Sequence, residues 1–217
     1  MASPKFWGTR LKHRAKPCNY QDLSASVCDR IDSITITESV DSTGYDSPET
    51  ELPVGFARPI DDPNLPAMTE AGTAVFGDAV RLVADALGLA LDDVHCEAEY
   101  ARTTEDLDLG SWRIPAGCVA GIKQHVRAWH GEELLISLDL QMYVAAESPR
   151  DHVLVDGVPP IDMTINGGVA GDIATAAIVI NCIPKLVAAR PGLLTMKDMP
   201  LVHRFNPIEV RALKPGR

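Results

Sequence analysis

Cysteine is sparse and unpatterned in this 217-residue chain: Cys18, Cys28, Cys96, Cys118 and Cys182, an odd number with no CxxC pair. That argues against a disulfide framework or a zinc site and fits a reducing, cytoplasmic setting. Nucleotide fingerprints are missing as well. No GxGxxG follows a strand pattern, no GxxxxGK[ST] occurs, and Gly167-Gly168 with Gly171 have the wrong spacing for a phosphate loop. A GxSxG elbow is absent too. No apolar run reaches the roughly 18 uninterrupted residues of a membrane span, and no signal-peptide core stands near the start.

The charge is lopsided. Residues 1–17 hold Lys5, Arg10, Lys12, Arg14 and Lys16 and no acid, while the whole chain has 20 bases against 30 acids and a net charge of -10. An acidic body does not suit a phosphate backbone, so no nucleic-acid partner is expected. The basic composition of the head is shared by transit segments and nucleic-acid arms, but a disordered tail over 1–19, or an irregular start to the reading frame, fits it better.

What is present reads as alternating strands and two long helices. Asp22 to Arg30 suggests a short helix, and SITITESVD (33–41) a strand with Ile34, Ile36 and Val40 inward. Prolines 48, 53, 59, 63 and 66 mark 42–67 as a long ordered loop or lid. A helix follows from a cap at Thr69 to Gly88, with Val75, Ala79, Leu82, Val83, Ala86 and Leu87 on its apolar face. Val94, Cys96, Ala98 and Tyr100 alternate as a strand, and 102–116 reads as a polar loop.

A hairpin then pairs the strand of Cys118 to Trp129 with that of Leu134 to Val144. A three-residue loop at 131–133 sets Ala128 opposite Ile136, Val126 opposite Leu138 and His125 opposite Asp139. Ile161, Met163 and Ile165 form a further strand. The order predicts an α+β fold, an open, mainly antiparallel sheet covered by helices on one face.

The last helix, Ile173 to Ala189, is apolar all round and is expected to be buried all round as the spine of the domain. Asp172 is the expected N-cap, Pro191-Gly192 the stop, and Pro184 an interior kink. The amides of Ile173, Ala174 and Thr175 at its start, beside the Thr175 hydroxyl, suit an anion, although Asp172 and Thr175 also serve simply as caps. His95, Glu97 and Glu99 lie side by side on one strand face rather than converging, so no metal site is expected there. His125 and Asp139 read as a cross-strand polar pair rather than a catalytic dyad.

Three stretches resemble a known family. CDRIDSITITESVDSTGYDSPE (28–49), GCVAGIKQHVRAWHGEELL (117–135) and GDIATAAIVINCIPKLVAARPGLLTMKDMPL (171–201) are similar to the C-terminal domain of 2,4-diaminopentanoate dehydrogenase and related NAD(P)-dependent amine dehydrogenases, relatives of dihydrodipicolinate reductase. The double-histidine motif of true dihydrodipicolinate reductases is absent. The resemblance implies one substrate-binding and dimerisation domain over 20–203, followed by a tail over 204–217. It implies a fold of the dihydrodipicolinate reductase C-terminal type, without the Rossmann domain that precedes it in the family. LKHRAKPCNYQDL (11–23) replaces the expected crossover, as in a truncated or frame-shifted gene product.

The resemblance also implies a portion of an NAD(P)-dependent oxidoreductase acting on amines, imines or the matching ketones. NAD or NADP would serve the full-length family and bind weakly or not at all to this chain, which is not expected to be catalytically competent alone. Tyr45, in the Tyr-Asp-x-Pro-Glu segment, and Thr175, at the helix start, are the implied substrate-site residues. The implied partners are an amine or ketone substrate, a second copy of the chain in a homodimer, and a separate Rossmann-domain chain if the enzyme is split. The rival reading is a non-catalytic module that oligomerises or binds a small ligand.

Overall fold

Alternating apolar side chains build one six-stranded sheet in the computed structural model, which describes residues 25–45 and 48–204. In chain order the elements are β1 (Arg30–Asp41), α1 (Pro48–Glu51), α2 (Leu65–Leu87), β2 (Asp93–Arg102), β3 (Leu107–Asp108), β4 (Arg113–Ile114), β5 (Val119–His130), β6 (Glu133–Tyr143), β7 (Arg150–Val158), β8 (Ile161–Asn166) and α3 (Gly171–Ala188). The sheet order is β2-β5-β6-β1-β7-β8, with β3 and β4 a separate small hairpin. Only β1 and β6 run parallel; the other pairs are antiparallel, so the fold is α+β with a mainly antiparallel sheet. The basic head, Cys18 and the tail beyond residue 204 lie outside the described residues.

One face of the sheet is apolar because strand side chains alternate and every second residue is aliphatic. Ile34, Ile36, Val126, Ala128, Ile136, Leu138, Val153 and Val155 meet Val80, Val83 and Ala84 of α2 in the main core. Helix α2 is therefore the spine. Its buried stripe keeps Ala79 and Val83 of the expected face, with Leu82 and Leu87 packed at its edge, and adds Val80 and Ala84, while Ala86 is exposed and Asp78, Arg81 and Asp85 face water as expected. It ends at Gly88 in the left-handed conformation, the expected C-cap, but begins at Leu65, with Asn64 as N-cap and Pro66 in the first turn. Thr69 is thus inside the helix, because proline fits a first turn and the helix starts where the prolines permit it.

The β5–β6 register is the expected one: Ala128 faces Ile136, Val126 faces Leu138, and His125 faces Asp139. The loop is one residue shorter than expected, because His130 pairs with Glu133 and a bulge after Ala128 restores the parity. Gly121 lies opposite Tyr143, whose ring covers it so closely that a Cβ would overlap Tyr143 Cδ1.

Other expectations are corrected. Of the expected helix over 22–30, only Ala25 is helical among the described residues, and the strand starts at Arg30. The lid over 42–67 is anchored structure, with α1, a 3-10 turn at Leu52–Val54 and the first residues of α2. The polar loop over 102–116 contains the β3–β4 hairpin, and its Trp112 and Ile114 are buried with Phe56, Cys118, Ala120 and Ile122 in a second core. Strand β7 (Arg150–Val158) has no counterpart in the sequence reading.

The largest correction concerns α3. Its internal Pro184 is as expected and it runs from Gly171 to Ala188, two residues earlier at its start than expected and one at its end, but no residue of it is buried. Ile173 and Val187 are 74% and 81% exposed. An apolar circumference calls for cover without saying what supplies it; here the main core is already closed by α2, and α3 leaves the sheet after its edge strand β8. Its 18 residues are long and apolar enough, by length and composition only, to cross a membrane.

Gly121→Ala is expected to destabilise the fold by about 1–3 kcal/mol through overpacking against the Tyr143 ring. Urea denaturation measures this, and the double variant with Tyr143→Ala is expected to relieve most of the Gly121→Ala penalty.

Candidate functional site

The apolar face of β1 changes character along its length. Ile34 and Ile36 belong to the core; Glu38 is next on the same face and is 9% exposed. Its register partner on β7 is Asp151, which follows Val155 and Val153 on that face and is 6% exposed. Two adjacent strands thus present buried carboxyl groups at the same level.

Two loops close over this level. After β8, the Val169 N–H donates to Asp151 Oδ2 at 3.0 Å, which ties the entry to α3 onto β7. Gly168 takes φ +66° here, a region that favours glycine. After β1, Asp41 Oδ1 accepts from the Thr43 N–H (2.9 Å), the Thr43 hydroxyl (2.6 Å) and the Ala145 N–H (3.0 Å). These bonds outweigh burial, which pushes its carboxyl up, and hold Asp41 below the usual aspartate value. The turn is completed by the Tyr45 N–H on Ser42 O (3.1 Å).

The turn delivers Tyr45 to α3. The Gly171 N–H, first in that helix, donates to Tyr45 Oη at 3.1 Å. The N-cap is Ala170 rather than Asp172, which sits in the first turn. The expected set of free amides also changes, because Ala174 N already donates to Ala170 O. Acid in a first turn complements the helix dipole without capping it. Thr175 is half-buried in the following turn. The structure therefore brings Tyr45 to the helix start and leaves Thr175 beside the site.

Glu51 completes the group. It ends α1, is fully buried, and neither carboxyl oxygen has a hydrogen-bond partner among the described residues. Its backbone cannot swing away, because the segment after it is pinned. Phe56 N–H donates to Glu51 O (3.3 Å), Ala57 N–H to Val119 O (2.9 Å), and Val119 N–H to Arg58 O (2.8 Å). The Tyr100 hydroxyl donates to Val54 O at 3.0 Å. Phe56 is itself enclosed, edge-on to Trp112 with centroids 6.3 Å apart.

The electrostatics follow from burial and shared sign. Burial first, then the charge of Asp172, pushes the Glu51 carboxyl up to about 7. Burial also pushes the Tyr45 phenol up; the Gly171 N–H opposes this, and Asp172, Glu51 and Glu38 reinforce it. The charges that raise both groups are negative. The site can hold a proton near neutral pH and favours a cation, so the helix start is not the anion site expected from its amides. A dinucleotide pyrophosphate does not fit these residues: carboxylates line the site, and β1 leads into a Ser-Thr-Gly-Tyr turn rather than a glycine-rich phosphate loop.

Sequence reasoning missed Glu38, Glu51 and Asp151. A signal existed for Glu38, which falls in the series Ile34, Ile36, Val40 on the inward parity of its strand.

The other polar groups are structural. Asp139 accepts from both His125 and Arg127, the latter at 2.6 Å; these bonds outweigh burial and hold its carboxyl below the usual range. That is the expected cross-strand pair with an arginine added. His95 bonds Asp93 at 2.6 Å and packs edge-on to Trp129. Among the described residues no cluster of three or more His, Cys, Asp or Glu is placed to hold a metal.

Comparison with known proteins agrees with this architecture. The family model for the 2,4-diaminopentanoate dehydrogenase C-terminal domain matches residues 54–211. A 2,4-diaminopentanoate dehydrogenase of Acetoanaerobium sticklandii is 30% identical over 186 residues, covering 82% of this chain and 52% of that protein. An amine dehydrogenase of Streptomyces virginiae is 26% identical, covering 79% of this chain and 53% of its own length. The solved amine dehydrogenase of Mycobacterium smegmatis shares the fold at a TM-score of 0.74 and 17% identity, over 89% of this chain and 58% of that one. The chain spans about half the length of the curated relatives it matches.

A buried acid with a raised folded-state value gives stability that is complete below its ordinary value of 4.5 and is lost as pH rises through about 7. Thermal melts are expected to show the fold losing about 3 kcal/mol across that window, and Glu51→Gln is expected to flatten the dependence.

Proposed function

Because the chain belongs to the family of the 2,4-diaminopentanoate dehydrogenase C-terminal domain, we propose that it is the substrate-side portion of an NAD(P)-dependent oxidoreductase that interconverts amines with imines or the matching ketones. The buried carboxyl cluster at the start of α3 carries this reading, because it suits a nitrogen cation and repels a pyrophosphate. In this reading Tyr45 walls the substrate pocket and Thr175 stands at its edge, while the nicotinamide is held by a nucleotide-binding domain in another polypeptide segment. Hydride chemistry belongs to the cofactor; the residues of this chain bind and orient the substrate and hold its proton.

Self-association is part of the same reading. The exposed apolar side chains of α3 and the sheet face opposite α2 are surfaces that a second copy would cover. A reducing cytoplasmic setting is part of it too, supported by the free thiols Cys28, Cys96, Cys118 and Cys182.

Joining the chain to the nucleotide-binding half of the Acetoanaerobium sticklandii relative is expected to restore amine-dependent reduction of NAD(P), with neither half active alone. A folded fusion that reduces no cofactor with any primary amine would overturn the proposal, as would sub-micromolar NADPH binding by the chain alone in a fluorescence titration. Light scattering at roughly tens of micromolar is expected to show a dimer, on ordinary association free energies.

A further inference from the structure

Strand β2 is the long open edge of the sheet. It pairs with β5 on one side, stands last in the strand order and runs ten residues, Asp93–Arg102, with neither lysine nor proline. Native sheets seldom leave such an edge bare, because its free N–H and C=O groups template another strand. Its inward side chains are also short of cover. Cys96 and Tyr100 are half-buried, whereas Val126 and Ile122, opposite them on β5, are fully buried. Along this edge a groove of about 820 Å³ lies open between α2 and the strand, lined by Leu65, Cys96, Ala98 and Tyr100, with Asp61 and Glu70 among its polar residues. On the other face of β2, Asp93, His95, Glu97 and Glu99 are exposed. The edge therefore suits a strand with bases on one face and small or apolar side chains on the other. The opposite edge strand, β8, offers one acid, Asp162, which is already bonded to His152.

The chain carries a matching sequence in its own basic head. Between Gly8 and Pro17 the bases Arg10, Lys12, Arg14 and Lys16 alternate with Thr9, Leu11, His13 and Ala15. On a strand all four bases share one face, whereas on a helix they would fall on opposite sides. Glycine and proline bound the run as they bound strands. The connection is long enough. Ala25 and Ser26 share a hollow with Ala86 and Leu87 at the end of α2, and the same helix end shares another with Asp92 and Asp93 at the start of β2. Residues 17–24 span up to about 26–29 Å when extended, against about 14 Å for the three strand spacings from β1 to β2.

We propose that residues 9–16 pair with the free edge of β2 as an antiparallel strand, extending the six-stranded sheet to seven. Antiparallel is the sense that brings Lys16 to the Asp93 end, nearest Ala25. Charge sets the register. With Arg10 opposite Glu99, Lys12 falls opposite Glu97 and Lys16 opposite Asp93, and a shift of two residues either way loses one of these base–acid pairs. The same register places Leu11 and His13 over Ala98 and Cys96, in the groove. Exposed ion pairs hold little by themselves, so they select the register while backbone bonds and the groove hold the strand. A second copy is the poorer occupant, because two β2 edges in antiparallel pairing set acids opposite acids. The inference is independent of the substrate-side reading above.

The test uses the full chain. Carbodiimide coupling joins amines to carboxylates in direct contact, and peptide mass spectrometry is expected to find Lys12 joined to Glu97 and Lys16 to Asp93. In a mixture of isotopically light and heavy protein, both links are expected within one chain. Amide hydrogen exchange is the second readout. Arg10→Glu with Lys12→Glu is expected to speed exchange about tenfold at the β2 amides that face the free edge, since like charges replace attractive pairs. Adding Glu97→Lys and Glu99→Lys is expected to restore the protection. Head lysines coupled to acids scattered over the surface, exchange indifferent to the charge reversal, or a loss that the reciprocal reversal does not repair would overturn the proposal. Links between light and heavy chains would overturn it as well, by giving the edge to a neighbouring molecule.

Discussion

Side chains on a strand alternate between its faces, and on β1 this alternation takes Ile34 and Ile36 under α2 and then brings Glu38 onto the same buried face. The neighbouring β7 does the same in reverse, with Val155, Val153 and then Asp151. Neither strand can turn its acid outward without turning its aliphatics into water, since a one-residue slip moves every side chain to the opposite face. The location of the carboxyl cluster is thus fixed by the energetics of the apolar core. Burying a full aliphatic side chain is worth about 1.5–3 kcal/mol, and several such residues on β1 and β7 together hold one acid on each strand in place.

Holding acids inside requires rigidity elsewhere. The second core, around Phe56 and Trp112, contributes nothing to the cluster directly, yet it pins the chain just after Glu51. Gly55 shows how tight that packing is: its backbone sits at φ +113°, and a Cβ there would approach Leu65 and Tyr100 to 3.0 Å. Asp41 performs the matching task on the other side, where its three accepted bonds set the turn that carries Tyr45. Tyr45 and Glu51, six positions apart, are thus held by independent anchors. That is the arrangement a site needs when its geometry must survive the charge of its own members.

Local pattern made much of this legible in the sequence. The β5–β6 register follows from matching apolar parity across a short loop, and the end of α2 from a single glycine. Tyr45 was reached through a resemblance, and the bond from Gly171 to its phenol joins two stretches that had drawn notice separately. What stayed hidden depends on partners far apart in the chain. Strand β1 pairs with β6 and β7, whose first contacting residues lie more than a hundred positions away, and no turn signal announces such pairings. The hairpin at 107–114 has strands of only two residues, too short to show a period. Glu51 fell in a proline-rich stretch read as a loop, where burial has no periodicity to betray it. Helix α3 was misplaced for a different reason: an apolar circumference reports the need for cover, and the order of the strands decides whether the chain's own core has room to provide it.

The exposure of α3 and the burial of the acids are connected through one residue. Gly171 is at once the first residue of the helix and the donor to Tyr45, so the helix axis and the phenol position are set together. Val169 N–H on Asp151 fixes the approach to that residue from the sheet side. Any surface that packs on Ile173, Ile180 and Val187 must therefore orient the first turn of α3, and with it Asp172, relative to Glu51. A nucleotide-binding domain or a second copy of the chain seated there would act on the proton held at Glu51 by changing the distance of one negative charge. Cover on the helix and charge at the site are in this way a single coupled variable.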